Sequence, residues 1–278
     1  MNISINGASA LNIAQIALSS TQEDFVKIVE SLASGSSATI SPADLYVSTD
    51  IDTDTAARYT AIENAQQGVN LTQIADGALS DVNKSLSRIM ELSTKAASDI
   101  YSDAQRNAIQ AEINQLTEHI SKSLESANYN GKELLNVVNA ENPDKNKDIS
   151  FQVGTGSTSD SIVSYDPNIN LEDFSFDVSS AESSRESMKK AGAMIEAVST
   201  KRSEIAATQA GLMNSVESNM TAIINGKSSY SNITDTNYAS AMADLLSNQL
   251  TQKSIIAVMS QTIKSQGSVL NLISGIGA

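Results

Sequence analysis

Apolar side chains recur along most of the chain at alternating steps of three and four residues. Leu11, Ala14, Leu18, Thr21, Phe25, Ile28 and Leu32 make one such run, the heptad seam of an amphipathic helix that lies against another helix. The run stops at Gly35. Ser36 to Thr55 is rich in Ser, Thr and Asp, carries Pro42 and the acids Asp50, Asp52 and Asp54, and reads as a connector between helices. From about residue 56 to 98 the seam returns at Ala75, Leu79, Val82, Leu86, Ile89, Ser93 and Ala96. At 1.5 Å per residue that helix is roughly 60 Å long, a rod rather than a globule.

A third helix, 103–127, opens on Asp103 as its N-cap and carries Ile109, Ile113, Leu116, Ile120 and Leu124. It ends at Asn128 to Gly131, where glycine can turn left-handed, so it folds back on the second helix. Residues 132–180 change character to Asn, Asp, Gly, Ser and Pro. The alternation in Ile149-Ser150-Phe151-Gln152-Val153 predicts a strand there and hairpins across the region. A fourth helix, 181–224, shows Met188, Ala191, Ile195, Val198, Arg202, Ile205, Gln209, Leu212, Val216 and Ile223 on its seam. After a turn expected at Asn225-Gly226 to Ser231, a last helix carries Tyr238, Met242, Leu245, Gln249, Ile256, Met259, Ile263, Gln266, Leu270 and Ile273. Beyond Tyr238 its charged residues are Asp244, Lys253 and Lys264. A helix so poor in charge needs a partner to cover it.

The pattern therefore predicts a mainly α fold, a long antiparallel helical coiled-coil rod with a small β-hairpin region in the middle of the chain. Residues 1–40 and 232–278 form the two halves of a terminal helical domain, 41–55 a connector, and 56–231 a rod domain. Long rods with adhesive ends suit repeated use of one interface that does not close on itself, the geometry of an open filament.

Composition narrows the functions available. Among 278 residues there is no Cys and no Trp, one His, and a net charge of −14. Disulfides and thiolate metal sites are excluded, and the acidic balance opposes binding to nucleic acid or anionic membrane. Met1 to Gln22 has no charged side chain, so a cleaved signal peptide with a basic start is not expected. The apolar run Ile255-Ile256-Ala257-Val258-Met259 is far short of the roughly 20 residues that span a bilayer. His119 has Glu112, Glu118 and Glu125 within a turn or two, too sparse a set for zinc. Gly154-Thr155-Gly156 lacks the Lys and the helix of a phosphate loop. No Ser lies in a nucleophile elbow, and Asp50 to Asp54 lacks a calcium-loop pattern. Neither enzyme chemistry, nor a metal, nor a cofactor is expected.

Specific residues resemble the flagellin family. Asn64-Ala65, Gly68-Val69 and Gln73-Ile74-Ala75-Asp76-Gly77-Ala78-Leu79 are similar to the flagellin N-terminal domain. Leu86-Ser87-Arg88-Ile89-Met90-Glu91-Leu92, Ile109-Gln110-Ala111-Glu112-Ile113, Tyr129-Asn130-Gly131, Phe151-Gln152-Val153-Gly154 and Ile233-Thr234-Asp235-Thr236-Asn237-Tyr238-Ala239 continue the likeness along the chain. After Leu32-Ala33-Ser34-Gly35 the chain departs from it, reading Ser36-Ser37-Ala38-Thr39-Ile40-Ser41-Pro42 where the family runs into Arg-Ile-Asn.

The resemblance implies a filament subunit exported by the flagellar type III apparatus, extracellular, with paired terminal helices lining a channel and middle helices forming an outer tube. Leu11, Leu18, Phe25, Ile28 and Leu32 from the first helix would then pack in the filament core with Met242, Leu245, Ile256, Met259, Ile263 and Leu270 from the last. Arg88, Glu91, Leu92 and Glu112 would lie on the outer-tube surface. Met90 and Lys95 stand where family members recognised by Toll-like receptors carry Arg and Gln, which implies weakened recognition. The Ser and Thr between Ser150 and Ser184 stand where relatives can carry O-linked sugars. Implied partners are further copies of the chain, other flagellins, an export chaperone, and cap and hook-associated proteins. A hook–filament junction adaptor and a type III secreted coiled-coil effector are the rival readings.

Overall fold

The computed structural model describes residues 2–38, 40–138, 146–171 and 174–276, with side chains described between 9 and 268. The chain divides into two compact units, one of Met1–Thr53 with Asn225–Ala278 and one of Asp54–Ile224. Five long helices carry both: α1 (Asn2–Ser34), α2 (Pro42–Ala96), α3 (Asp103–Ser126), α4 (Ala181–Thr234) and α5 (Tyr238–Ile276).

In the second unit, as residue numbers rise on α2 they fall on α4. Arg58 bonds Asn219, Asp76 bonds Arg202 and Asn83 bonds Ser199, so these helices are antiparallel. Helix α3 returns along α2 in the same sense, with Ser85 facing His119 and Arg88 facing Glu112. The α2 seam expected from the sequence, Ala75 to Ala96, is buried throughout and extends back through Thr72, Gly68, Ala65 and Ala61 at unbroken steps of three and four. Small residues on one helix let large ones on its neighbour come close. A Cβ on Gly68 would stand 2.9 Å from Leu212 Cδ1 and 3.1 Å from the Phe151 ring.

The α4 seam matches at every second position. Ala191, Val198, Ile205, Leu212 and Ile223 are buried as expected, and Ser187, Met194, Lys201 and Asn219 are buried with them, whereas Met188, Ile195, Arg202, Gln209 and Val216 are only half-buried. Polar residues can occupy those places because each is paired. Asn219 donates to the Val153 carbonyl at 2.7 Å and accepts from Arg58 at 3.1 Å, and the Lys201 ammonium lies 2.7 Å from Glu204. Ile195 and Val216 pack at the margin of the core.

The region after α3 is sheet, though not only hairpins. Strands β1 (Asn128–Tyr129) and β2 (Lys132–Glu133) form an antiparallel pair around Asn130 and Gly131, both at positive φ, as a two-residue Asn-Gly turn requires. β4 (Ile149–Gln152) pairs antiparallel with β5 (Ile162–Tyr165), whereas β3 (Asn136–Val138) pairs in parallel with β6 (Asn168–Asn170). Ile149 and Phe151 point inward and Ser150 and Gln152 outward, the alternation read from the sequence. Tyr165 is buried with its hydroxyl donating to the Leu134 carbonyl at 2.7 Å. Burial holds that phenol above its ordinary range.

Two expected breaks in the helices are absent. The connector at 41–55 is helical from Pro42, because Ser41 is an N-cap. Its Oγ accepts the Asp44 N–H at 3.1 Å and donates to the Asp44 carboxylate at 2.7 Å, and proline suits the first helical position. Helix α4 likewise runs through Asn225-Gly226 to Thr234. One interior glycine costs a helix only about 1 kcal/mol relative to Ala, too little to end so long a helix.

Candidate functional site

In the first unit α1 and α5 pair antiparallel. The Tyr238 hydroxyl donates to the Leu32 carbonyl at 3.2 Å and Gln252 Nε2 donates to the Thr21 carbonyl at 3.1 Å. Gly35, at φ +73°, ends α1. The chain around it is then stitched to the segment between α4 and α5. Ser37 N–H donates to the Thr234 carbonyl, Thr236 N–H to the Gly35 carbonyl, and Thr236 Oγ1 to the Ser31 carbonyl, at 2.8, 2.9 and 3.0 Å. Carbonyls left open at a helix end are satisfied here by a segment from the far end of the sequence. The motif Ile233 to Ala239 thus fastens the two ends of the chain.

Of the residues expected to pack in a filament core, Leu11, Leu18, Phe25, Ile28 and Leu32 lie on the half-buried stripe of α1, and Leu245 and Met259 on that of α5. Met242, Ile256 and Ile263 do not. They are exposed, because the α5 stripe follows Ala241, Leu245, Asn248, Gln252, Ile255, Met259, Thr262 and Gln266. Leu270 lies outside the residues whose side chains are described. Nowhere on α1 or α5 is a described side chain fully buried. The far faces remain strongly apolar, with Leu250 and Ile13 each 68% exposed and Ile16, Val26, Leu246 and Val258 nearly as open.

The other group of expected residues sits on the second unit. Arg88 bridges α2 and α3, its Nε and Nη2 donating to Glu112 at 3.0 and 2.8 Å and its Nη1 to Glu91 at 3.0 Å. Hydrogen bonding to Glu112 first, and to Glu91 second, raises the guanidinium above its ordinary range. Leu92 is not on the surface. It is 2% exposed and belongs to the core, since it stands one turn after Ile89 on the inward side of α2.

Sequence reasoning missed a buried cation. Arg106, in the first turn of α3, is 6% exposed and donates to the carbonyls of Ala96, Ser98 and Tyr101. It closes the C-terminal end of α2, where positive charge is favoured. Its placement carried a signal, because a cation at a helix N-terminus opposes that helix's own dipole. Gln110 was missed too. Its amide donates to the Phe176 carbonyl at 2.7 Å and accepts from Val178 N–H at 2.9 Å, fixing the segment that leads into α4.

Comparison with known proteins agrees with the motifs. Residues 5–140 match the family of the bacterial flagellin N-terminal helical region. The chain is 27% identical to the flagellar filament 30.7 kDa core protein of Treponema maltophilum over 77% of this chain and 79% of that one. It is 26% identical to flagellin FlaB1 of Treponema pallidum over 97% and 99% of the two chains. A solved flagellin from Bacillus cereus superposes with a TM-score of 0.47 and 19% identity, over 56% of this chain and 88% of that one. With the N-terminal helical region matched over residues 5–140 and a flagellin aligned from end to end, the comparisons support a bacterial flagellin.

Proposed function

We infer that this chain is a structural subunit that polymerises into the extracellular filament of the bacterial flagellum, and that α1 and α5 drive the polymerisation. The half-buried helix pair carries this reading. Two helices cover only one face of each other, so Ile13, Ile16, Val26, Leu246 and Leu250 are left in water. Each such side chain, once covered, contributes roughly 1.5 to 3 kcal/mol before ordering is subtracted. Copies of the same chain supply the covering surface in a homopolymer.

In this account Leu11, Leu18, Phe25, Ile28, Leu32, Leu245 and Met259 hold α1 to α5, while Met242, Ile256, Ile263 and Leu270 meet neighbouring copies in the filament core. The unit of Met1–Thr53 and Asn225–Ala278 forms the inner tube and that of Asp54–Ile224 the outer tube. Arg88, Glu91 and Glu112 belong to the outer tube's exposed surface. An export chaperone, a cap and hook-associated proteins handle the same apolar ends before and during assembly, and other flagellins can join the polymer. The chain acts by assembly and catalyses nothing.

Truncation before Ala243 tests the role of α5. The shortened protein is expected to stay monomeric in sedimentation while retaining the protease resistance of residues 54–224. Filaments formed by the truncated protein would refute it.

A further inference from the structure

Methionine is the sulfur of this chain, which has eight Met and no Cys. The structure sorts these thioethers sharply. Met194 is 2% exposed inside the α4 seam, whereas Met213 and Met220, two turns apart on an exposed flank of the same helix, are 61% and 59% exposed. With Ala210, Val216 and Ile224 they line a shallow apolar hollow on α4. From Ala210 to Ile224 the one charged residue is Glu217.

We propose that Met213 and Met220 form a reversible oxidation site through which hydroperoxides hold the subunit in its unassembled state. The thioether sulfur attacks one peroxide oxygen, the O–O bond breaks, and an S–O bond forms. The second oxygen leaves as water or alcohol with the peroxide's proton. The sulfur is oxidised and the peroxide reduced, so no further reactant is needed. Reduction returns the thioether, with two thiols becoming a disulfide and the oxygen leaving as water.

The consequence rests on the filament reading. An apolar face on a subunit of a homopolymer is covered by a second copy of the same chain, and this one ends at Ile224, adjacent in sequence to the unit carrying the polymerising helices. A sulfoxide puts a strong polar acceptor on two anchors of that face. Burying it without a donor opposes association. Met194 and the packed seam are shielded from the reagent, so the fold itself persists.

The test treats the full-length monomer with hydrogen peroxide, maps the sulfoxides by peptide mass spectrometry and measures polymer yield by sedimentation. Met213 and Met220 are expected to gain oxygen about tenfold or more faster than Met194, with polymer yield falling about tenfold. A Met213→Leu, Met220→Leu protein, similar in size and apolar character, should keep several-fold more of its polymer yield than the native chain after the same treatment, since Met90 and Met242 are exposed in both proteins and any loss through Met242 is common to them. Methionine sulfoxide reductase with dithiothreitol should restore the native protein. Equal loss of yield in the double variant, or full yield from native protein oxidised at both sites, would overturn the proposal. Oxidation no faster than at Met194 would remove the site itself. An untreated chain that never polymerises would instead count against the filament reading, and the oxidation map would still test the site.

Discussion

Gly68 and Gly77 lie on the same helix, and replacing each by alanine separates helix propensity from close packing. Alanine improves an interior helical position by about 1 kcal/mol over glycine. At Gly77 a new Cβ meets nothing within 4 Å, so Gly77→Ala is expected to raise stability by nearly that amount. At Gly68 the same methyl would lie 2.9 Å from Leu212 Cδ1 and 3.1 Å from Phe151. Neither neighbour can retreat easily, since both are in the buried core. Overpacking of that kind costs about 1 to 3 kcal/mol, which offsets or exceeds the helical gain. The two variants should therefore differ by roughly 1 to 3 kcal/mol with Gly68→Ala the weaker. Urea unfolding of the monomer, followed by far-ultraviolet circular dichroism, reads the difference as a shift in midpoint. If Gly68→Ala stabilises as much as Gly77→Ala, the close approach of α2, α4 and β4 at Gly68 is wrong.

Further outcomes follow from the polar groups. Arg106→Ala should destabilise the second unit by about 3 kcal/mol, because a buried charged donor is lost and the carbonyls ending α2 are left unpaired; the same urea measurement checks it. The Arg202–Asp76 pair, at 2.7 Å but more than a third exposed on both sides, should show a coupling of only about 0.5 kcal/mol in a double-mutant cycle. Burial raises the Asp166 carboxyl, but hydrogen bonds from Asn168 and the charge of Lys201 outweigh it and hold the group below its ordinary range. A depressed carboxylate contributes stability above its unfolded pKa of about 3.9 and loses it as pH falls through the folded value. The thermal midpoint should thus drop below about pH 4, less steeply in Asp166→Asn.

The seam of α2 was legible because charge and small polar residues mark its opposite face clearly, and that of α1 because its steps of three and four run unbroken from Leu11 to Leu32 even though Ile13, Ile16 and Val26 leave its far face apolar. Helix α4 was half legible: Ser187, Lys201 and Asn219 sit inward with partners outside the helix, at Asp177, Asp166 and Val153, that its own periodicity does not record. Helix α5 could not be phased well, since Leu246, Leu250 and Ile256 make its outer face as apolar as its inner one. That ambiguity has a physical source, a helix that faces partners on more than one side. Pro42 misled as a breaker where it begins a helix, and the parallel pairing of β3 with β6 joins segments too far apart for any turn signal to announce.

Polymerisation of the full chain tests the central claim most directly. The purified protein, placed under polymerising conditions and viewed by negative-stain microscopy with circular dichroism before and after, should form long filaments as helix content rises at its ends. A fully helical protein that stays monomeric under those conditions would contradict the account.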